Sequence, residues 1–391
     1  MSKRILIVAM NQHWPGISRL PSGLKRAGFI ITTLCPKKSF LAQSVQVDDS
    51  IQYPIFSYSR SKIFYILAIY SLFYFKPDFI IPGDEEAILV LHRLSVFFGL
   101  IPGLGKWQQL IRNSMTPSEF DSIIESKELF VESCRDWGIR VPKSFSVSHL
   151  QQATQLVPEL GGFPVVIKKD SGYGGSGVAV CENQEELNQK FREFQEPPHF
   201  TVLIKHILRK FFFISIFDSG EGLSLQQYID GQVALAPFVA LRGELFAINP
   251  MIKVLTYPTK TSPSCVVQGF ENDEVFNFSK IVASKLNYNG FGSLDVMIEN
   301  STGKCFVIEL NPRPIPTVHL KAEVIGNDLC VCLFNALNNI KQETHPLKLA
   351  TIALFPNELK RDPHSPYIKD GYHDVPENEP KLMESLLKNH L

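Results

Sequence analysis

The sequence predicts a mixed α/β and α+β protein, in which an N-terminal unit with a parallel sheet is followed by units that contain antiparallel strands. The first unit is indicated by an apolar run at 5–10, a helical pattern that stops at Gly28, and a second apolar run at 29–35. This βαβ order builds parallel sheets. Later apolar runs come in pairs joined by short turns, which is typical of hairpins. At 391 residues the chain exceeds one ordinary core, so we expect several domains.

Composition narrows the class of function. The 39 Lys and Arg residues balance the 39 Asp and Glu residues, so the totals carry no electrostatic signature of nucleic-acid binding. The seven cysteines are scattered and include no C-x-x-C pair, which disfavours a zinc site or a disulfide framework and fits a reducing compartment. We therefore expect a cytoplasmic protein that acts on small molecules.

The N-terminal unit is expected to continue to about residue 115. The apolar stretch 63–75 is only 13 residues long, short of the roughly 20 that cross a bilayer. We interpret it as a buried helix, with a membrane-surface segment as the alternative. A strand at 79–81 is followed by Asp84 and Glu85 at its C-terminal end, and these two carboxylates could contact a substrate amine. The alternative is a loop that caps the helix starting near Ala87.

The apolar run 163–169 and the loop that follows it carry the clearest motif. The run has Lys168 near its end and turns through a glycine-rich loop into a second apolar run. Such a hairpin tip can hold phosphate oxygens on backbone N–H groups, with the lysine supplying charge. Gly172, Gly174 and Gly177 also match G-x-G-x-x-G, but a dinucleotide site requires a helix directly after the loop, and here a β-type run comes first. The alternative without function is a flexible surface hairpin.

A second hairpin gathers acidic residues. Its arms flank the five-residue loop 300–304, and pairing across this loop places Asp295 opposite Glu309. Asn311 shares a face with Glu309 because alternate residues of a strand point the same way. Two carboxylates and an amide oxygen suit Mg²⁺, and Arg313 just beyond could bind a phosphate or a substrate carboxylate. The alternative is that the acids are solvated or paired with Arg and Lys.

The order of these motifs resembles the ATP-grasp superfamily, in particular its carboxylate-amine ligases and carbamoyl-phosphate-synthase-like members. The matching positions are Lys127, Pro164 to Lys168 with the glycine-rich loop, Leu225 to Gly231, Gly292 to Asp295, and Glu309 to Pro314. The resemblance covers roughly 120–335, and the part before it is similar to a pre-ATP-grasp domain. It implies an N-terminal parallel-sheet domain followed by a two-subdomain ATP-grasp fold. The expected domains are 1–115, 116–222, 223–345 and a C-terminal extension at 346–391, which we expect to be loosely packed from about 356.

The resemblance also implies roles for single residues. It assigns nucleotide contacts to Lys127, Lys168, Gly174, Gly175, Ser176, Gly177, Gln227, Tyr228 and Ile229, and magnesium, with manganese as a substitute, to Asp295, Glu309 and Asn311. Arg313 would lie near the γ-phosphate or the acyl-phosphate. Gln227 stands where the hinge residue is commonly glutamate, and Ser293 stands where some ligases carry an arginine. Lys253 or Arg242 would take that catalytic role, unless each is an ordinary surface charge.

The activity implied is an ATP-dependent ligase, which activates a carboxylate as an acyl-phosphate and joins it to an amine. The expected partners are these two small molecules and no nucleic acid, with no transmembrane segment and a homodimer left open. His13, Trp14 and His319 suggest substrate contacts, although a lone histidine such as His319 is more often structural. Two other functions stay open. One is a nucleotide-binding regulator or scaffold without turnover, and the other is a sugar-nucleotide glycosyltransferase, which would need a second Rossmann-like half.

Overall fold

The computed structural model describes residues 2–54, 62–169, 177–195, 222–259, 262–342 and 345–389. Within these ranges the strands form three sheets, of four, four and eight strands. The first sheet is wholly parallel, and the other two are antiparallel apart from one parallel pair at the end of the largest sheet. The predicted combination of α/β and α+β architecture is therefore confirmed. The domain boundaries stay predictions.

The parallel sheet forms the core of the N-terminal unit. Its strands are β1 (Arg4–Val8), β2 (Ile30–Pro36), β3 (Asp49–Tyr53) and β4 (Phe79–Pro82), in the spatial order β3-β2-β1-β4. The helices of this unit are α1 (Leu20–Ala27), α2 (Phe40–Gln43), α3 (Lys62–Phe75), α4 (Glu85–Gly99) and α5 (Gly105–Ser114). α1 ends where predicted, at Gly28, whose φ of 98° is a left-handed conformation that glycine adopts without strain.

Both faces of the parallel sheet are covered, which explains the unbroken apolar run of β1. Leu6 and Val8 pack with α3, α4 and α5 on one face. Ile5 and Ile7 pack on the other face with α1 and with residues of the largest sheet. A strand buried on both sides reads as continuous apolar sequence instead of an alternating pattern.

The second sheet holds the glycine hairpin. Its strands are β5 (Ser144–Val147), β6 (Val165–Lys169), β7 (Val178–Cys181) and β8 (Leu223–Gln227), in the order β5-β8-β6-β7. The helices around it are α6 (Asp121–Glu125), α7 (Lys127–Asp136), α8 (Leu150–Leu156) and α9 (Gln184–Gln195). β6 and β7 pair antiparallel, and the next helix begins only after β7, so the hairpin prediction is confirmed over the dinucleotide motif. Gly174, Gly175 and Ser176 of the tip lie outside the described residues.

The largest sheet carries the acidic hairpin. Its strands are β9 (Gly231–Leu241), β10 (Glu244–Ile248), β11 (Met251–Thr256), β12 (Ser264–Gly269), β13 (Gly290–Glu299), β14 (Cys305–Asn311), β15 (Thr351–Leu354) and β16 (Tyr372–Asp374). Helices α10 (Asp273–Lys285), α11 (Ala322–Ile325) and α12 (Leu329–Leu337) pack against or follow it. Antiparallel pairing from β9 to β14 leaves no second Rossmann-like half among the described residues, which argues against the glycosyltransferase.

The prediction of a loosely packed C-terminal extension is wrong. β15 pairs with β12, and β16, which lies beyond residue 356, pairs with β15 and so extends the largest sheet. Helices α13 (Asn357–Arg361), α14 (Pro366–Asp370) and α15 (Pro380–Asn389) complete this segment. Leu382 and Leu386 are buried against Phe40 of the N-terminal unit. Polar composition misled the prediction, because a few buried leucines and ion pairs are enough to anchor the segment.

The prediction that 63–75 is a buried helix is correct for one face only. Phe64, Ala68 and Leu72 are buried in the N-terminal core, whereas Ile66 and Tyr70 are exposed. No helix in the described part of the chain is long and apolar enough to span a membrane.

Candidate active site

A cavity of about 530 Å³ lies between the three sheets. The predicted site residues that line it are Lys127, Lys168, Gln227, Tyr228, Ile229, Lys253, Asp295, Glu309, Asn311 and Arg313. The N-terminal unit adds Trp14, Arg19 and Glu85, and the C-terminal segment adds Phe355, Asn357 and Asp374. The glycine hairpin and the acidic hairpin, which are far apart in sequence, therefore face one shared space.

The acidic hairpin pairs Asp295 on β13 with Glu309 on β14, as the sequence predicts. The register shifts between Asp295 and Val296, however, so that Ile298 and not Glu299 pairs with Cys305. Lys127 Nζ lies 3.2 Å from Glu309 Oε1, and Lys253 Nζ lies 3.6 Å from Asp295 Oδ2. Asn311 donates from Nδ2 to Asp295 Oδ1 at 3.0 Å. Two carboxylates and two lysines thus form one compact cluster, in which each lysine offsets part of the repulsion between the acids.

The oxygen-bearing side chains of this cluster fit a hard cation. Burial raises the pKa of Asp295 despite the nearby Lys253, and the Glu309 carboxylate adds to the rise. A bound cation would relieve this cost by stabilising the charged carboxylates. No group of three His, Cys, Asp or Glu side chains is arranged as a metal cage in the described ranges. Mg²⁺ matches such a site, because it takes one or two carboxylates and completes its coordination with water and phosphate oxygens.

The surroundings of Lys168, at the end of β6, favour binding of an anion. Burial lowers its pKa to about 8, and Lys127 lowers it further, whereas Glu309 and Asp295 oppose the shift. A lysine that is costly to charge gains most when a negative ligand arrives, since the ligand stabilises the protonated form. Lys168 is therefore suited to meet a phosphate in this cavity.

The strand β8 and the strand β9 belong to different sheets, and residues 228–230 connect them. Gln227 lies at this junction, where its backbone N–H donates to the Lys143 carbonyl at 2.8 Å. The apolar side chains of Val166, Val178, Met297 and Ile308 line the cavity nearby. An apolar slot beside an extended backbone can hold a flat heteroaromatic ring and hydrogen-bond to its edge.

Beside the acidic cluster, a second part of the cavity wall is organised around Arg313. Its Nε donates to Glu85 Oε1 at 2.6 Å, and its guanidinium lies 3.9 Å from the centre of the Trp14 ring. The side chain is 5% exposed, and its buried Nη1 has no hydrogen-bond partner among the described residues. A buried guanidinium nitrogen without a partner is costly. An anionic or carbonyl oxygen of a ligand would satisfy it.

Gly16 fixes the position of the Trp14 ring. A Cβ added at Gly16 would lie 2.3 Å from Trp14 Nε1, so the ring lies directly against this glycine. Gly16 contacts the Trp14 ring, and the ring in turn contacts the guanidinium of Arg313. Only glycine at this position permits the observed stacking.

The adjacent acids of the β4–α4 turn have different roles. Asp84 accepts hydrogen bonds from the backbone N–H groups of Met10, Asn11 and Ala87, and burial raises its pKa to about 6. Asp84 is therefore a helix cap, the alternative given for it above. Glu85 points into the cavity and pairs with Arg313.

The C-terminal segment completes this part of the cavity wall through a buried ion cluster. Arg19 Nη1 lies 3.1 Å from Asp374 Oδ1, and His319 Nε2 lies 3.0 Å from the same oxygen. Burial alone would raise the pKa of Asp374, but His319 and Arg19 lower it to about 2. His319 is thus tied to a carboxylate inside the protein, in line with the structural role favoured from sequence.

Several predicted residues lie elsewhere. Arg242 is exposed in the turn after β9, where its backbone N–H donates to Asn289, and it does not line the cavity. Ser293 is fully buried in β13. Gly177 precedes β7, and its carbonyl accepts from Lys169 N–H at 2.8 Å.

Of the two proposed replacements for the missing arginine, only Lys253 reaches the cluster. No sequence pattern indicates Arg19 and Asp374, which are 355 positions apart.

Comparisons with known proteins agree with this geometry. Residues 126–212 match the family described as carbamoyl-phosphate synthase L chain, ATP binding domain. A stretch of 169 residues is 30% identical to a carbamoyl-phosphate synthase from Methanobrevibacter smithii, and it covers 43% of this chain and 41% of that protein. Over this region the chain is similar to ATP-grasp proteins. The match spans less than half of the relative's length.

Solved structures agree on the ATP-grasp fold. A biotin carboxylase from Campylobacter jejuni, solved in complex with β,γ-ATP, superposes with a TM-score of 0.64 at 16% identity, covering 90% of this chain and 74% of that chain. An L-amino acid ligase from Bacillus licheniformis superposes with a TM-score of 0.60 at 15% identity, covering 90% and 78%. At these identities the likeness concerns the ATP-grasp fold alone.

Proposed function

We propose that this chain is an ATP-dependent carboxylate-amine ligase, which forms an acyl-phosphate and then an amide or peptide-like bond with release of ADP and phosphate. One observation carries the proposal. Lys168 and Lys127 face Asp295 and Glu309 across one cavity, and beyond this cluster Arg313 presents an unpartnered nitrogen. The cavity can therefore receive a polyphosphate with its cation at one end and an acid substrate at the other.

Each group has a role that follows from its position. The slot near Gln227, Tyr228 and Ile229 would hold adenine. Lys127 and Lys168 would neutralise phosphate oxygens, and the glycine loop ending at Gly177 would cover them. Asp295, Glu309 and Asn311 would hold Mg²⁺, or Mn²⁺ in its place, which neutralises charge on the transferring phosphoryl group. Such a site works by positioning and charge stabilisation, so it needs no nucleophilic side chain.

The second end of the cavity would bind the substrates. Arg313 would orient the carboxylate beside the γ-phosphate, and Lys253 would stabilise the charge that develops during transfer. Glu85 is a carboxylate in contact with Arg313 and is placed to accept a hydrogen bond from the attacking amine. The substrates are small molecules, and a homodimer remains part of the proposal. The seven free, buried thiols support a reducing compartment such as the cytoplasm.

An acyl-phosphate can be detected before the true amine is known. The purified chain is incubated with ATP, Mg²⁺, hydroxylamine and panels of carboxylic acids, and hydroxamate and ADP are measured together. We expect one class of acid to give hydroxamate and ADP in equal amounts. Release of AMP and pyrophosphate would contradict the acyl-phosphate route.

Variants separate a ligase from a scaffold that binds nucleotide without turnover. Glu309→Gln should abolish hydroxamate formation, because it removes one cation ligand. Glu299→Gln, on the same hairpin but outside the cavity lining, is the matched control and should retain activity. If every acid fails while the unsubstituted chain still binds ATP tightly, the scaffold is the better description.

A further inference from the structure

The outer face of α3 and α4 is apolar and exposed to water. Among the described residues, sixteen large hydrophobic side chains are exposed, and eight of them lie on these two helices or at the end of α4. These eight are Ile63, Ile66, Tyr70, Phe73, Tyr74, Val96, Phe97 and Leu100. Exposed apolar residues scattered singly need no explanation, but such a concentration marks an interaction surface. We call this set the outer face.

The outer face is one surface formed by neighbouring helices. α3, α4 and α5 pack side by side on the same face of the parallel sheet. The rings of Tyr70 and Tyr74 stack with centroids 5.5 Å apart. Phe73 packs against Trp107 of α5 with ring centroids 4.8 Å apart. The aromatic side chains thus connect the end of α3 with the start of α5.

The charged residues near the outer face indicate which kind of partner can bind it. The stretches 51–77 and 87–118 contain six Lys or Arg residues and no Asp or Glu, in a chain whose charges otherwise balance. Lys106 Nζ lies 4.9 Å above the Trp107 ring, next to Phe73. Lys76 is exposed directly after α3. Aromatic and aliphatic side chains beside Lys76 and Lys106 match the interface of a bilayer with anionic lipids.

We propose that the outer face binds the surface of an anionic membrane, with the side chains of α3 and α4 in the headgroup region. Tyrosine suits this depth, because its ring is apolar and its hydroxyl can remain hydrated. Lys76 and Lys106 would contact lipid phosphates. The chain would lie on the bilayer without spanning it.

A second copy of the chain fits the same surface less well. In a two-fold dimer a patch meets its own copy, so the cations that border the outer face would approach each other without any acid of 51–77 or 87–118 to offset them. Like charges brought together across an interface oppose association. An anionic lipid surface has the complementary sign.

Membrane binding at the outer face would leave the active-site cavity open. Glu85, at the start of α4, lines the cavity, whereas Leu100 follows the end of the same helix. A helix of this length spans about 22 Å at 1.5 Å per residue. The exposed end of α4 is therefore well separated from the site where substrates would enter.

Vesicle flotation tests the proposal with the full chain. Vesicles of phosphatidylcholine with about 30 mol% phosphatidylglycerol are compared with pure phosphatidylcholine at about 0.1 M salt. We expect binding to the anionic vesicles to be at least about tenfold stronger, since each cation near such a surface adds roughly fivefold. The substitutions Ile66→Ser, Tyr70→Ser and Tyr74→Ser together should reduce binding about tenfold or more. They change exposed side chains, so the thermal unfolding midpoint should be retained.

Matched variants on α10 control for general stickiness and charge. Phe276→Ser removes an exposed apolar side chain there, and it should leave vesicle binding unchanged. Lys76→Gln with Lys106→Gln should weaken binding to anionic vesicles, whereas Lys280→Gln with Lys285→Gln on α10 should not. Absence of binding to anionic vesicles, or equal binding by the triple serine variant, would overturn the proposal. So would a dimer, detected by light scattering, that the triple serine variant converts to monomer.

Discussion

The two parts of the cavity that we propose to hold the cation and the substrates, the metal end and the substrate end, are built in different ways. At the metal end, Asp295 and Glu309 come from adjacent strands of one hairpin, and strand register alone places them together. At the substrate end, Arg313 meets Trp14 and Glu85, which come from a loop and from the start of α4 in the N-terminal unit. The first arrangement depends on local pairing, and the second depends on how whole units pack. We therefore expect the chemistry of phosphoryl transfer to tolerate changes in packing better than substrate binding does.

The metal end should show the largest effect of a single substitution. Asp295→Asn removes one carboxylate from the cluster of Glu309, Lys127 and Lys253, so we expect the rate of hydroxamate formation to fall about a thousandfold. The Mg²⁺ concentration for half-maximal rate should rise as well. Glu299→Gln, on the same hairpin, should change neither quantity. An Asp295→Asn enzyme with normal Mg²⁺ dependence would remove this residue from the cation site.

The substrate end should depend on the C-terminal segment. Asp374→Asn leaves the largely buried Arg19 without its ion-pair partner, and we expect the free energy of unfolding in urea to fall by about 3 kcal/mol. Asp370→Asn, an exposed change on α14, should have little effect. A loss below about 0.5 kcal/mol for Asp374→Asn would mean that Arg19 is satisfied in another way.

The Asp374 carboxylate also predicts that the protein loses stability at low pH. The pKa of Asp374 is about 2 in the folded protein, below its ordinary value of 3.8. Its stabilisation is therefore complete above about pH 5 and is lost as the pH falls through 3.8 towards 2. The unsubstituted protein should lose more stability over this interval than Asp374→Asn does.

Packing at Gly16 offers a separate test of the substrate end. Gly16→Ala places a methyl group against the Trp14 ring and should displace Arg313 with it. We expect kcat/KM for the acid substrate to fall about thirtyfold, while the Kd for ADP stays unchanged. Gly105→Ala is the control, because an added Cβ there meets no atom within 4 Å. Equal losses of acid and nucleotide binding would show that the two ends are not independent.

The smallest predicted effect is the pH dependence of the affinity for ADP. Lys168 has a pKa of about 8 without ligand, and bound phosphate would raise it, so ADP binding should take up a proton near pH 8.5. Affinity should fall about tenfold from pH 7 to pH 9, because a growing fraction of Lys168 must first be protonated. Calorimetry in buffers of different ionisation enthalpy measures the proton count. Lys168→Met should bind more weakly and with no such proton uptake.

The contrast between the two ends also sets the limit of sequence reasoning. The pairing of Asp295 with Glu309 could be predicted from loop length and the two-residue period of strands, but the register shift between this pair and the turn could not. Asp374 could not, since its partner Arg19 is distant in sequence and no local period connects them. β3 and β15 were missed for a related reason. β3 is polar on exposed positions, and β15 is short, so neither has the apolar pattern that indicates a strand.

The contact between the C-terminal segment and the N-terminal unit has a consequence for biosynthesis. Leu382 and Leu386 cover Phe40, yet a ribosome that adds 5–20 residues per second makes them roughly 20 to 70 seconds after Phe40. During this interval the nascent N-terminal unit exposes an apolar surface. Final closure of that unit must therefore wait until residues 374–386 have emerged, and ribosome-bound chains that lack them should bind chaperones.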